Sequence, residues 1–318
     1  MEPMWIGQTL FVRGTGVLLL ALGAACGGAA DHDRPSESLP ADDAHWVEAV
    51  DDAGRLVRLP APATRVISLL PAVTETLVAM GATDKLVART EYDVGPLGHL
   101  PSIGGGLTPS LELLASLRPD LVIAWEESGL ARVRPRLEEL GIPVFAAQTQ
   151  DTAGIYANIE RLGRLVGRGE QADSLAAWMR AELAAVRASV ADREAPEVLY
   201  LIGVDPPIVA GPNVFIGEIL SLAGGRNAFP ELREESPQMS LEEVVRRRPE
   251  LVLFPSSGPG GTDAGRLRAA PGWSELARAG TTRFHALPAE LLHRPGPSIV
   301  EAAWILRDAI HPDLAGRR

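Results

Sequence analysis

Apolar positions along this chain change period several times, and each change marks an element. Between Glu170 and Asp192 they fall at Ala172, Leu175, Met179, Leu183, Val186 and Val190, a three-then-four spacing that keeps one face of a helix apolar throughout. The spacing predicts a single helix of roughly 35 Å, ended before Pro196. Shorter continuous apolar runs read as buried strands: Val66 to Leu70, Leu86 to Ala88, Leu121 to Trp125, Val144 to Ala146 and Val198 to Ile202. Their alternation with helical stretches at Thr74 to Met80 and Ser110 to Leu117 predicts parallel sheets covered on both faces. Ahead of them, Val47 to Val50 and Arg55 to Leu59 alternate around Asp52-Ala53-Gly54, the pattern of a hairpin, here expected to cover a sheet edge.

One phrase occurs twice. Ser110-Leu111-Glu112 opens a run ending Arg118-Pro119-Asp120-Leu121-Val122-Ile123, and Ser240-Leu241-Glu242 opens one ending Arg248-Pro249-Glu250-Leu251-Val252-Leu253. Each copy reads as a Ser-capped helix stopped before an Arg-Pro turn and followed by a buried strand. Glu112 and Glu242 fall in the first helical turn, where the dipole favours negative charge and side chains meet water. A second pair, Glu75 to Gly81 and Glu218 to Gly224, reads as short helices closed by glycine. The expected fold class is therefore α/β: two lobes, each with a central mostly parallel sheet flanked by helices, joined by the long helix, with a cleft between them. Residues 46–168 form the first lobe, 169–195 the joining helix and 196–318 the second lobe. A stiff helix buried against both lobes predicts small opening motions rather than a wide hinge.

At 318 residues and 46% apolar composition the chain can bury a core in each lobe. Its 41 acidic and 30 basic residues give a net charge of -11, which argues against nucleic acid as a partner. The basic run Arg246-Arg247-Arg248 complements a helix dipole. Near the start, Arg13 precedes the apolar run Val17 to Ala25, too short to span a bilayer but suited to the core of a signal peptide over residues 1–25. Cys26, the single cysteine, follows small residues at its end, which resembles the lipobox of bacterial lipoproteins, although Gly23 stands where a leucine is usual. Residues 26–45 are Gly, Ala, Asp, Ser and Pro with almost no large apolar side chain, a solvated linker behind a lipid anchor. The expected location is extracytoplasmic, tethered to the membrane through Cys26.

Arg65-Val66-Ile67-Ser68-Leu69 followed by Pro71 and Thr74-Glu75, the Arg-Pro-Asp-Leu-Val-Ile run into Trp125, the long helix, and Ala223-Gly224-Gly225-Arg226-Asn227 together resemble the helical-backbone substrate-binding proteins of ABC importers. That family takes up iron-siderophores, haem and cobalamin, and the likeness covers essentially everything from Trp46 onward. Pro119 to Trp125, and Asp205-Pro206-Pro207 with Gly211, resemble most its cobalamin-binding members, which carry a cleft tryptophan where this chain has Gly106. The resemblance implies a monomer that presents Glu112 and Glu242 to arginines of a permease. Exposed pairs of this kind contribute about 0 to 1 kcal/mol each, so they set register and encounter rate more than affinity.

Open parallel sheets bind ligands at the carboxyl ends of their strands. By position that places Pro71, Ala72, Tyr92, Gly105, Gly106, Trp125, Glu126, Pro207, Ile208, Phe215, Glu290, His293 and Arg294 at the cleft. Trp125 offers a flat face to a planar macrocycle or aromatic chelator, and the triple glycine at 104–106 lets backbone approach a bulky ligand. It lacks the Gly-Lys-Ser or Gly-Lys-Thr ending of a phosphate loop. The expected ligand is a corrinoid, with a ferric siderophore or haem as alternatives, haem through Tyr92 or His293 as axial ligand. The histidines show no paired spacing, so no bare metal site is expected. No resident cofactor is implied. Ser256-Ser257-Gly258 lacks the nucleophile elbow of a hydrolase, and no catalytic residue is expected.

Overall fold

In the computed structural model, residues 46–93, 95–125, 131–256, 263–292 and 294–317 are described. The chain enters through a hairpin, β1 (Val47–Val50) and β2 (Leu56–Leu59), with Val50 opposite Leu56. Asp51 holds its turn: the buried carboxylate accepts the backbone N–H groups of Ala53 and Arg55, and its other oxygen accepts the Ala146 N–H at 3.1 Å. The hairpin is thereby tied to the edge strand of the first sheet.

That lobe contains β3 (Val66–Ser68), α1 (Pro71–Ala79), α2 (Leu111–Ser116), β4 (Leu121–Ala124), α3 (Ala131–Glu139) and β5 (Val144–Ala146). Its strands lie in the order β3-β4-β5, all parallel, and β4 is buried at every position. Two helices follow, α4 (Thr152–Leu165) and α5 (Gly169–Ser189). The second lobe contains β6 (Glu197–Val204), β7 (Pro207–Val209), α6 (Phe215–Leu222), β8 (Arg226–Asn227), α7 (Leu241–Arg247) and β9 (Leu251–Ser256). It finishes with α8 (Ala264–Ala269), α9 (Trp273–Ala279), β10 (Arg283–Pro288), α10 (Ala289–Leu292) and α11 (Ile299–Ile310). Its sheet runs β10-β9-β6-β7 with β8 also on β6, and β7 alone is antiparallel.

The repeated phrase has a physical cause in both lobes. Ser110 and Ser240 cap α2 and α7 by accepting the N–H of Leu113 and Glu243. Arg118 and Arg248 then take left-handed backbone conformations, φ 45° and 53°, and turn the chain into the strand. The acid after each proline secures the strand beginning next to it: Asp120 accepts the N–H groups of Thr64 and Arg65 at 2.8 and 2.9 Å, and Glu250 accepts that of Glu197 at 3.0 Å.

One continuous apolar core runs from Val66, Leu121 and Phe145 through Leu175, Met179, Leu183 and Val186 on α5 to Val198, Leu251 and Trp304. Separate clusters cover the far faces, around Ile67 and Val122 in the first lobe and around Leu199 and Phe254 in the second. Parting the lobes means exposing the shared core at about 25 cal/mol for each Å². α5 sits close against α4 because Gly163 has no Cβ; one built there would overlap the Ala172 methyl. Farther along α5, Glu182 accepts the Trp304 indole N–H from α11 at 3.2 Å.

Several expected boundaries move. Leu86 to Ala88 is no strand: only Leu86 bridges to Val66, after which Arg89 pairs with Ser102. α1 starts at Pro71 rather than Thr74, since proline suits the first helical turn. α5 ends at Ser189, and the buried Val190 caps it, so the helix stops one residue before the end of its apolar stripe. Cys26 and the leader lie outside the described residues.

Candidate functional site

The carboxyl ends of β3, β4 and β5 in the first lobe and of β10 in the second face a shared cavity of about 470 Å³. Its first wall is the β3–α1 turn from Leu70 to Val73, with Tyr92, Trp125 and the segment Ala147 to Gln150. The opposite wall is Phe215, Glu235, Ala289, Arg294 and Pro295. Two other hollows are larger, about 580 Å³ beside α4, α5 and α6 and about 650 Å³ beside Pro206, Leu241 and Trp273. Neither gathers strand ends from both lobes, so volume alone does not select the site.

Local structure explains how each wall is placed. Val73 and Thr74 donate backbone N–H groups to the Leu70 carbonyl, so Pro71 and Ala72 stand at the mouth of α1. The 147–150 segment leaves the buried strand β5 and is held by the hairpin: Asp52 accepts the Gln148 N–H at 2.6 Å and the Asn158 side-chain amide at 3.0 Å. Asp151 then caps α4 through the Gly154 N–H at 2.7 Å. On the far side, the Phe215 N–H donates to the Gln150 carbonyl at 2.7 Å.

The chemistry is aromatic and apolar with two formal charges, Arg294 and Glu235. Tyr92 is 60% exposed and Trp125 38%, so both rings offer free area to a ligand. Arg294 reaches across the cleft to donate to the Tyr92 carbonyl at 3.1 Å. The Tyr92 hydroxyl bonds to the Glu91 carboxylate, whose acceptance and charge raise the phenol pKa. Deeper in, burial raises the pKa of Glu75, opposed by its hydrogen bond from the Ser298 N–H and by the charge of Arg294.

Of the positions expected at the cleft, the fold brings together Pro71, Ala72, Tyr92, Trp125, Phe215 and Arg294. Gly105 stands behind Tyr92 and does not line the cavity. Gly106 serves the chain itself: a Cβ there would overlap the Leu69 carbonyl oxygen, so its lack of a side chain admits backbone rather than ligand. Pro207 and Ile208 lie elsewhere, because β7 doubles back antiparallel on β6. Pro207 lines the hollow near Trp273, and Ile208 packs on Gly203. Glu126 and His293 lie outside the described residues, as does the side chain of Glu290, which falls in α10. Gln148, Thr149 and Gln150 were not anticipated, although a polar run directly after a buried strand is the signal that marks a carboxyl end. Glu235 sits in a loop with no sequence pattern to reveal it.

Glu112 and Glu242 are exposed in the first turns of α2 and α7. Neither makes a hydrogen bond or ion pair with another described residue. Among the described residues no cluster of three or more His, Cys, Asp and Glu side chains is arranged to hold a metal ion.

Residues 66–291 match the periplasmic binding protein family. A vitamin B12-binding protein of Vibrio cholerae is 31% identical over 250 residues, 78% of this chain and 89% of its own length. An uncharacterized ABC transporter substrate-binding lipoprotein of Bacillus subtilis is 28% identical over 299 residues, 91% of this chain and 93% of its own. Among solved structures, a periplasmic vitamin B12 binding protein of Vibrio cholerae superposes with a TM-score of 0.64 at 29% identity, covering 81% of this chain and 99% of that one. A periplasmic haem binding protein from Pseudomonas aeruginosa superposes with a TM-score of 0.68 at 29% identity, covering 79% and 93%.

Proposed function

The chain belongs to the periplasmic binding protein family and is the substrate-binding component of an ABC importer; we propose that its cargo is a corrinoid, gripped between Tyr92 and Trp125 of one lobe and Phe215 and Arg294 of the other. The cavity carries this reading. Its aromatic walls suit a broad, flat ring system, and the polar run Gln148 to Gln150 supplies partners for carboxamide side chains. At about 470 Å³ it encloses part of such a macrocycle and leaves the rest at the mouth.

Haem is the second reading, favoured by the exposed phenol of Tyr92 at the cavity wall and by the haem-binding structural neighbour. Glu91 weighs against it. Its carboxylate accepts from the Tyr92 hydroxyl, a hydrogen bond that iron would have to displace.

Glu112 and Glu242, one exposed carboxylate per lobe in matching first turns, are the docking points for basic residues of the permease. Cys26 carries the lipid that tethers a monomeric protein outside the cytoplasmic membrane, with residues 26–45 as its leash. Isothermal titration with cyanocobalamin, haemin and a ferric hydroxamate tests the cargo. Saturable 1:1 heat is expected with cyanocobalamin, and a response to haemin alone overturns the corrinoid assignment.

A further inference from the structure

Glu75 and Glu218 occupy matching places in the two lobes. Each lies about one turn into the helix that opens at the cleft wall, α1 from Pro71 and α6 from Phe215, and each reaches out of its own lobe. Glu75 accepts the Ser298 backbone N–H at 2.5 Å, where α11 of the second lobe begins. Glu218 accepts the Thr152 backbone N–H at 2.9 Å and the Thr152 hydroxyl at 2.7 Å, where α4 leaves the first lobe. The exchange is reciprocal: each lobe lends a carboxylate to the start of a helix belonging to the other.

Both bonds stand a few residues from the cavity wall, and Glu218 and Thr152 themselves line the hollow beside α4, α5 and α6. Thr152 follows Gln150, whose carbonyl accepts the Phe215 N–H across the lobes, and Ser298 follows Arg294 and Pro295, where Arg294 donates to the Tyr92 carbonyl. Gly296 has no Cβ there; one built at that position would press on the Ala72 carbonyl. A carboxylate at the amino end of a helix is favoured by the dipole, and its charge strengthens the hydrogen bonds it accepts. Glu75 is half-buried, and its hydrogen bond from Ser298 and the charge of Arg294 offset only part of the cost of desolvation.

We propose that Glu75 and Glu218 are positioning residues for ligand capture, a reciprocal pair of carboxylate braces that fixes the spacing of the lobes, one beside the Pro71–Arg294 wall and one beside the Gln150–Phe215 wall. Neither touches the ligand. Their effect on capture rests on the cavity being the ligand cleft, whereas their effect on lobe spacing does not.

The test places spin labels on exposed helical sites of opposite lobes, Glu139→Cys on α3 and Arg268→Cys on α8, in the mature chain carrying Cys26→Ser. Double electron resonance then measures the distance between lobes without ligand. The variant E75A/E218A is expected to broaden that distribution at least twofold and to speed cyanocobalamin release roughly tenfold for each brace removed. E75Q/E218Q keeps an acceptor oxygen at each place and is expected to recover most of the narrow distribution. Should the double alanine variant fail to fold, the single variant E218A carries the same measurement, with half of the broadening expected. A distribution as narrow as the unaltered protein's, with only a lower melting temperature, overturns the proposal and leaves the two residues as ordinary helix caps. Broadening in a protein that binds no cyanocobalamin in any form supports the braces and overturns the corrinoid assignment instead.

Discussion

Replacing Trp125 by alanine isolates the contribution of the cleft's largest aromatic side chain. The residue is 38% exposed, and a tryptophan offers about 150 to 250 Å² for burial, so about 60 to 95 Å² remains to be covered by a ligand. At about 25 cal/mol for each Å², that area corresponds to roughly 1.5 to 2.4 kcal/mol, or a dissociation constant raised roughly 10- to 60-fold. Isothermal titration with cyanocobalamin measures it, with far-UV circular dichroism to show that the variant is folded. Trp178→Ala is the control: Trp178 is 47% exposed on α5 and lies outside the cavity, so its loss is expected to leave affinity unchanged. Less than a twofold change for folded Trp125→Ala would mean that the ligand does not use this wall.

Charge reversal at both docking sites, E112K with E242K, is expected to abolish stimulation of the permease ATPase in proteoliposomes while cyanocobalamin affinity stays within twofold; lost affinity would assign the two glutamates a folding role. Gly106→Ala is expected to cost roughly 1 to 3 kcal/mol in urea unfolding, as overpacking against backbone does, because Leu69 is held by its N–H bond to the Ile123 carbonyl and cannot retreat; an unchanged midpoint would show that the loop moves freely. Burial lowers the pKa of His285 and His311, so the fold favours their neutral forms and their contribution is complete above the unfolded value of about 6.5. Stability is therefore expected to fall as pH drops through that value toward the folded pKa values, and His311→Gln should flatten the decline in melting temperature between pH 7.5 and 5.5. Glu75 works in the opposite sense at lower pH, since its raised pKa makes the folded carboxyl bind a proton more readily than the unfolded one.

Long-range architecture was legible where one physical rule governs many residues. The apolar stripe on α5 and the twice-written phrase around Asp120 and Glu250 gave the two lobes and their joint, because periodic burial and helix-to-strand turns leave local signatures. The β3–α1 turn and Trp125, expected from the ends of their strands, line the cavity between the lobes, as does Phe215 at the start of α6. What escaped depended on contacts between distant segments. Nothing local distinguishes Gly106, shaped by Leu69, from a glycine that meets a ligand, and Pro207 looked like a strand-end loop until β7 folded back on β6. The Glu75 and Glu218 pair was visible as a repeat, yet its partners, Ser298 and Thr152, lie far away in the chain and only the fold brings them near.

The binding of one corrinoid between the lobes is tested most directly by a crystal structure of the mature protein grown with cyanocobalamin. One corrin ring is predicted in the cleft, with Trp125 and Tyr92 on one side and Phe215 and Arg294 on the other. A corrinoid seated in either of the larger hollows, with the cleft closed and empty, would contradict the account.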